Sequence, residues 1–240
     1  MHAEVNALLV RVGADLSEGG GRWNGPMRSD TGEFVYVAIP EGKPVHAGYE
    51  KPYQAITPLL SSWNVVLPAH LADRHMHLDP DFAQLTYGDQ GQRAVQLRQN
   101  LQRDDWVVFY AALRDVLAEG RLIYALIGLL CVDQLIDART LPLDRRDVNA
   151  HSRRILAGNA DDLVVTGQAD RSGRLQRCLP IGEWRDGAYR VRRDLLGVWG
   201  GLSVKDGYLQ RSARLPRFLD PPRFLSWISK QDPELLRTNN

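Results

Sequence analysis

Two near-continuous apolar runs dominate the pattern of this chain: residues 104–113, Asp-Asp-Trp-Val-Val-Phe-Tyr-Ala-Ala-Leu, and residues 121–132, Arg-Leu-Ile-Tyr-Ala-Leu-Ile-Gly-Leu-Leu-Cys-Val. Runs of this kind, separated by a polar turn, predict central strands covered on both faces. Ala7-Leu-Leu-Val-Arg-Val-Gly13 predicts a short strand that ends at Asp15 and a glycine-rich loop. Phe34-Val-Tyr-Val-Ala-Ile-Pro40, rich in β-branched and aromatic residues and closed by proline, predicts another. Residues 162–167 return to strand. Ala94, Leu97 and Leu101 recur at helical spacing and predict a helix over residues 92–101; further helices are expected over 147–156 and near 222–228. Residues 41–70 carry little periodicity and are expected to form ordered loop. No repeat, linker or low-complexity run divides the chain. The expected fold is a single α+β domain over residues 1–240, with a mixed, curved sheet and helices packed on it.

Composition narrows the function classes. With 44% hydrophobic residues the chain can bury a substantial core. Its apolar runs fall short of the ~20 residues that cross a bilayer, and Met1-His-Ala-Glu-Val lacks a basic start followed by an apolar stretch, so a cytoplasmic protein with no membrane partner is expected. The two cysteines, Cys131 and Cys178, form neither a disulfide framework nor a paired metal spacing and read as small core residues. The net charge of +1 hides an asymmetry: residues 1–138 hold 11 basic and 17 acidic side chains, residues 139–240 hold 19 and 12. That basic excess, nearly all arginine, points toward nucleic acid.

Three polar segments carry candidate chemistry. The loop Ser17-Glu-Gly-Gly-Gly-Arg-Trp-Asn-Gly-Pro26 lacks the Gly-Lys-Ser/Thr of a triphosphate site, but Asp15, Trp23 and Asn24 offer a carboxylate, a stacking face and an amide for a base-sized ligand. Thr86-Tyr-Gly-Asp-Gln-Gly-Gln-Arg93 sets Tyr87, Asp89, Gln90 and Arg93 at the mouth of a helix, where anions are favoured. Tyr87 would stack or donate a hydroxyl, Gln90 would read a base edge and Arg93 would contact phosphate; Asp89 as an N-cap is the plain structural alternative. Asn149-Ala-His151-Ser-Arg-Arg154 adds Asn149, His151, Arg153 and Arg154 as DNA contacts, with a solvated helix face as the alternative. His75-Met-His-Leu-Asp-Pro-Asp81 spaces four potential ligands at every second residue, like the His-x-His-x-Asp start of metallo-β-lactamase-like hydrolases. Pro80, however, stands where their next histidine follows. A hydrogen-bonded loop anchor is the expected role of that segment, with no metal and no cofactor.

The motifs occur in one order: Leu9-Val-Arg-Val-Gly-Ala-Asp15, Asn24-Gly-Pro26, Phe34-Val-Tyr-Val-Ala-Ile-Pro-Glu41, Asp79-Pro-Asp-Phe82, Thr86-Tyr-Gly-Asp-Gln90, Val107-Val-Phe-Tyr110, Tyr124-Ala-Leu-Ile-Gly128 and Asn149-Ala-His151. The series resembles the bacterial family called nucleotide modification associated domain, type 3, to about residue 215. The resemblance implies a protein of DNA-modification and phage-defence loci that recognises a modified base. Some proteins of this kind look like glycosylases that remove hypermodified bases, such as glucosylated hydroxymethylcytosine, from phage DNA. The two apolar runs also resemble the central strands of PUA-like and EVE-like base readers.

The leading expectation is a monofunctional DNA glycosylase acting on a flipped, modified pyrimidine in double-stranded DNA and leaving abasic sites. Asp15 and Asp89 are its expected catalytic carboxylates, as water activator and cation stabiliser in either order. No lysine stands in a candidate motif, which disfavours an imine-forming lyase. A non-catalytic reader would stack the base among Trp23, Tyr87 and Tyr110. A metal-dependent hydrolase using residues 75–81 is the third class.

Overall fold

The two apolar runs pair with each other, and the rest of the fold is arranged around that pairing. In this computed structural model, which describes residues 5–209 and 212–240, the strands are β1 (Ala7–Arg11), β2 (Pro26–Met27), β3 (Ile39–Pro40), β4 (Met76–His77), β5 (Thr86–Asp89), β6 (Trp106–Asp115), β7 (Leu122–Asp137), β8 (Leu163–Gly167), β9 (Gly173–Pro180), β10 (Gly182–Arg185), β11 (Ala188–Val191) and β12 (Leu235–Leu236). The helices are α1 (Thr57–Ser62), α2 (Ala69–Ala72), α3 (Gly91–Asn100), α4 (Ala150–Arg153), α5 (Arg193–Trp199) and α6 (Pro221–Ser229). The chain start that was weighed for a leader, residues 1–4, lies outside the described residues.

β6 and β7 run antiparallel, from Trp106 opposite Cys131 to Arg114 opposite Leu122. Alternate residues of β6 enter different cores: Val107, Phe109, Ala111 and Leu113 on one face, Trp106, Val108, Tyr110 and Ala112 on the other. A strand with two buried faces has no polar positions, which is why the sequence there is continuously apolar. β1 lies parallel to β6, whereas β7 outruns β6 and forks, pairing with β9 through its first half and with β8 through its second. β5 closes the order β1-β6-β7-β8-β5 antiparallel to β8. The sheet is therefore mixed and does not close into a barrel, in an α+β fold. Leu60 of α1, Leu71 of α2 and Ala94 and Leu97 of α3 cover the first core; Leu195 and Trp199 of α5 and Phe224 and Ile228 of α6 cover the second.

Three segments depart from expectation. Residues 34–38 are buried and carry no ladder; only β3 forms in the segment expected as strand. Their backbone groups bond singly to scattered partners: Ala14 N–H donates to the Val37 carbonyl, Val35 N–H to that of Pro26, and the Tyr53 hydroxyl to that of Ala38. The helix expected over 147–156 shrinks to α4. Asn149 caps it, with Ser152 completing the capping box. The chain then turns extended at Arg154, because Ile155 N–H is taken by the Pro44 carbonyl. Residues 41–70, expected as loop, contain α1 and the start of α2.

The C-terminal residues hold the cleft side of the first core from outside. Asn239 accepts from Phe82 N–H at 2.8 Å and donates to Asp81 Oδ1 at 2.9 Å, while Asn240 exchanges hydrogen bonds with the Tyr36 backbone at 2.7 and 3.1 Å.

Gly128 of β7 lies under the Phe82 ring, where a Cβ would overlap the ring and stand 2.9 Å from the Gly173 carbonyl. Gly128→Ala is expected to lower stability by about 1–3 kcal/mol, seen as a lower denaturation midpoint at unchanged slope. An unchanged midpoint would mean that β7 is not so closely roofed.

Candidate active site

One small cleft, about 100 Å³, brings together ionisable groups from several elements of the fold. Arg11, Val12 and Gly13 from the end of β1, Ile39, His77, Asp79, Tyr87, Gly88, Asp89, Arg93 and His151 line it. Short elements bring them together. Pairing of Met76 and His77 in β4 with β3 sets His77 in the cleft wall, and Asp79 follows two residues on. β5 carries Tyr87 and Asp89, and the turn into α3 brings back Arg93. The Asn149 cap orients α4 so that His151 faces β5. Gly88 makes this approach possible, since a Cβ there would lie 2.5 Å from Asn149 Oδ1 and 2.6 Å from His151 Cδ2.

Both imidazoles are held from behind by carboxylates. His77 Nδ1 lies 2.6 Å from Glu41 Oε2, and His151 Nδ1 lies 2.7 Å from Asp162 Oδ1. Burial pushes His77 down to about 4, further than the Glu41 hydrogen bond raises it. Burial works to raise Glu41, but the His77 hydrogen bond and charge and those of Arg154 outweigh it and hold the carboxyl at about 2. At neutral pH Glu41 is therefore the charged partner. His77 is neutral, donates through Nδ1–H and keeps a lone pair on Nε2. Asp162 is likewise lowered: burial works to raise it, but the His151 hydrogen bond and charge, together with the charges of Lys43 and Arg154, outweigh it.

Asp79 completes the group. Its Oδ1 accepts from Gly88 N–H and Asn149 Nδ2, each at 2.8 Å, while Oδ2 lies 3.9 Å from His151 Nε2, beyond hydrogen-bond reach. Burial pushes its carboxyl up to about 6. One ligand-capable atom from each of His77, Asp79 and His151 lies within 4.8 Å of the others. These three residues could hold a cation or a water molecule between them. Beside them Asp89 accepts from the Tyr87 hydroxyl at 2.6 Å and pairs with Arg93 Nε at 2.8 Å, and Arg93 Nη2 donates to the same hydroxyl at 2.9 Å. Burial raises the Tyr87 hydroxyl well above its ordinary value, so it remains a donor.

The residues singled out from sequence divide into those the cleft gathers and those it does not. Tyr87, Asp89, Arg93 and His151 line it, and Asn149 orients Asp79 and His151 from beneath. Gln90 lies outside, accepting from Lys43 Nζ at 2.5 Å. Asp15 is not a lining residue: its Oδ1 accepts from Ser17 N–H and Oγ at the turn of the glycine-rich loop, and its Oδ2 lies 3.3 Å from Arg11 Nη2. It acts on the cleft through Arg11. Trp23 and Asn24 line a separate groove with Val66 and Arg114, and Asn24 donates to the Ala112 carbonyl. Tyr110 belongs to the second core, with its hydroxyl donating to the Leu209 carbonyl at 3.0 Å. No aromatic cage of Trp23, Tyr87 and Tyr110 forms.

Arg153 and Arg154, expected as DNA contacts, are turned inward into ion pairs. They are 2% and 7% exposed: Arg153 binds Asp81 at 2.6 Å and Asp147 at 2.7 Å, and Arg154 binds Glu41 at 2.9 Å. Asn149 and His151 are buried as well and offer no surface to a duplex. Sequence motifs do not single out Arg11, Glu41 or Asp162, and His77 and Asp79 stand out only as members of the spaced ligands at 75–81. The alternating ligands at 75–81 were the available signal. Only His77 and Asp79 of that set face the cleft; His75 is exposed and Asp81 turns to Arg153.

Set beside known proteins, residues 6–215 match the family model for nucleotide modification associated domain 3. The chain belongs to that family. No curated protein and no solved structure matched it. The family's matched span contains every residue of the cleft, including both imidazoles, Asp79 and the carboxylates behind them. Among the described residues no helix is long and apolar enough to cross a membrane.

Removing Arg154 would take from the buried Glu41 carboxylate its arginine partner. Arg154→Ala and Arg153→Ala are each expected to destabilise the fold by about 3–5 kcal/mol in chemical denaturation, the cost of breaking a buried pair from one side. Wild-type stability with weakened duplex binding would return these arginines to a DNA surface.

Proposed function

We propose that this nucleotide modification associated domain 3 protein is a hydrolase of modified bases in DNA, cleaving the N-glycosidic bond and leaving an abasic site. The observation that supports this reading is the convergence of Asp79, His77 and His151 on one cleft beside the Asp89–Tyr87–Arg93 group. A flipped nucleotide entering such a cleft meets groups able to seat and polarise water on one side and a fixed carboxylate on the other. Water held among Asp79, His77 and His151 attacks the anomeric carbon as the bond to the base breaks, and the base leaves with the proton that water gives up. Asp89, its orientation set by Tyr87 and Arg93, faces the positive charge developing on the sugar. Arg11 and Arg93 supply cationic charge for the flanking phosphates. Asp79 thus stands in place of Asp15 as the second carboxylate beside Asp89, and Asp15 holds Arg11.

The dispersal of Trp23 and Tyr110 away from Tyr87 argues against the reader, which needs a stacking cage. Among the described residues the cleft offers acid–base groups in its place.

Purified protein incubated with modified and plain duplex DNA, with free base, abasic sites and strand breaks scored separately, tests the reading. Release of free base from modified duplex alone is expected. Asp79→Asn and Asp89→Asn should each lower turnover by about two orders of magnitude or more. Binding of modified duplex by wild-type protein without any free base or alkali-labile site would leave a reader in place of the enzyme.

A further inference from the structure

The cleft's three inner ligands have a second property that hydrolysis alone does not demand. His77 and His151 each have Nδ1 engaged by a carboxylate, Glu41 at 2.6 Å and Asp162 at 2.7 Å, so each has only Nε2 left to face inward. Asp79 has Oδ1 engaged by two donors and Oδ2 without a hydrogen-bond donor among the described residues. A carboxylate behind each imidazole and an amide behind the ligating carboxylate are the outer contacts that fix metal ligands and raise their basicity.

We propose that His77, Asp79 and His151 form the protein side of a site for a divalent first-row transition-metal ion. Two imidazoles and one carboxylate suit zinc, iron, cobalt or manganese and ill suit magnesium or calcium, which take oxygen donors. Three protein ligands leave coordination positions open, the arrangement of a catalytic rather than a structural site. Charge supports the same conclusion. Asp79, Glu41, Asp162 and Asp89 set against Arg93 and Arg154 leave two negative charges in a largely buried region, since Arg11 is matched by Asp15. Uncompensated buried charge is costly, and a divalent cation cancels this surplus. Asp89 is not one of the three groups whose ligand atoms lie within 4.8 Å of one another, and its oxygens are engaged by Tyr87, Arg93 and Gln90 N–H. In the hydrolytic reading above, such an ion would acidify the attacking water. The site itself stands on the cleft geometry and does not depend on which bond is cleaved.

The test is a titration of the full chain, stripped with chelator and dialysed, with Zn²⁺ and in parallel with Co²⁺. Metal content after gel filtration, the visible absorption of bound Co²⁺ and the melting temperature are the readouts. One ion per chain and a metal-dependent rise in melting temperature are expected. His77→Ala, His151→Ala and the nearly isosteric Asp79→Asn should weaken binding by about 100-fold or more. Glu41→Gln and Asp162→Asn should weaken it by about 10–100-fold, the usual cost of an outer-contact change. His75→Ala, at an exposed position, should bind as wild type does. Melting of each variant in chelator, compared with stripped wild type, separates lost ligation from lost folding. Wild-type protein that takes up no ion at micromolar metal overturns the site, as does uptake unchanged in His77→Ala and His151→Ala. Ion binding without base release would sink the glycosylase and leave the metal site; base release by wild-type protein that takes up no ion would do the reverse.

Discussion

Arg154 lies buried between Glu41 and Asp162, and much of the cleft's geometry follows from that position. Its pair with Glu41 ties the turn after α4 to the segment that leaves β3, across 113 residues of chain. Glu41, so fixed, orients His77; Asp162 orients His151; and Arg153, one residue earlier, binds Asp81 in the loop that carries Asp79. Desolvating so many charges gives little net stability and makes each partner expensive to lose. What the arrangement supplies is orientation. The inner ligands are held by groups that have no other place to go.

The sheet was legible in the sequence because its cause is local: residues buried on both faces must be apolar, so β6, β7 and β8 announce themselves, as α3 and α6 do through their spacing. The segment 34–38 misled for a physical reason, since burial alone makes a strand-like composition and only a neighbouring ladder makes a strand. The cleft was half legible. Tyr87, Asp89, Arg93 and His151 were found through their motifs, whereas Glu41 and Asp162 act only because of distant residues and leave no local mark. His77 and Asp79 were visible as spaced ligands, yet without His151 the set was incomplete.

The arginine-rich C-terminal half illustrates how charge counted along a chain differs from charge presented at a surface. Arg139 pairs with Asp137, Arg185 with Glu183 and Asp206, Arg192 with Asp194, and Arg153 and Arg154 are buried. Much of the local basic excess is answered by nearby or buried carboxylates. The cationic groups beside the cleft, Arg11 and Arg93, come from the half whose formal charge is negative.

The cleft is also the part of the molecule with the most demanding assembly. The Asn149–Asp79 bond spans 70 residues and the Arg153–Asp81 pair 72, so each closes a long loop that contains β6 and β7. Contacts of such sequence separation carry the loop-closure entropy that slows folding. A partly folded chain therefore has two unconnected halves of a cleft and no binding place. Whatever bridges residues 77, 79 and 151 recognises the finished protein only and acts as a removable cross-link over that long loop, raising the barrier to opening for as long as it stays bound.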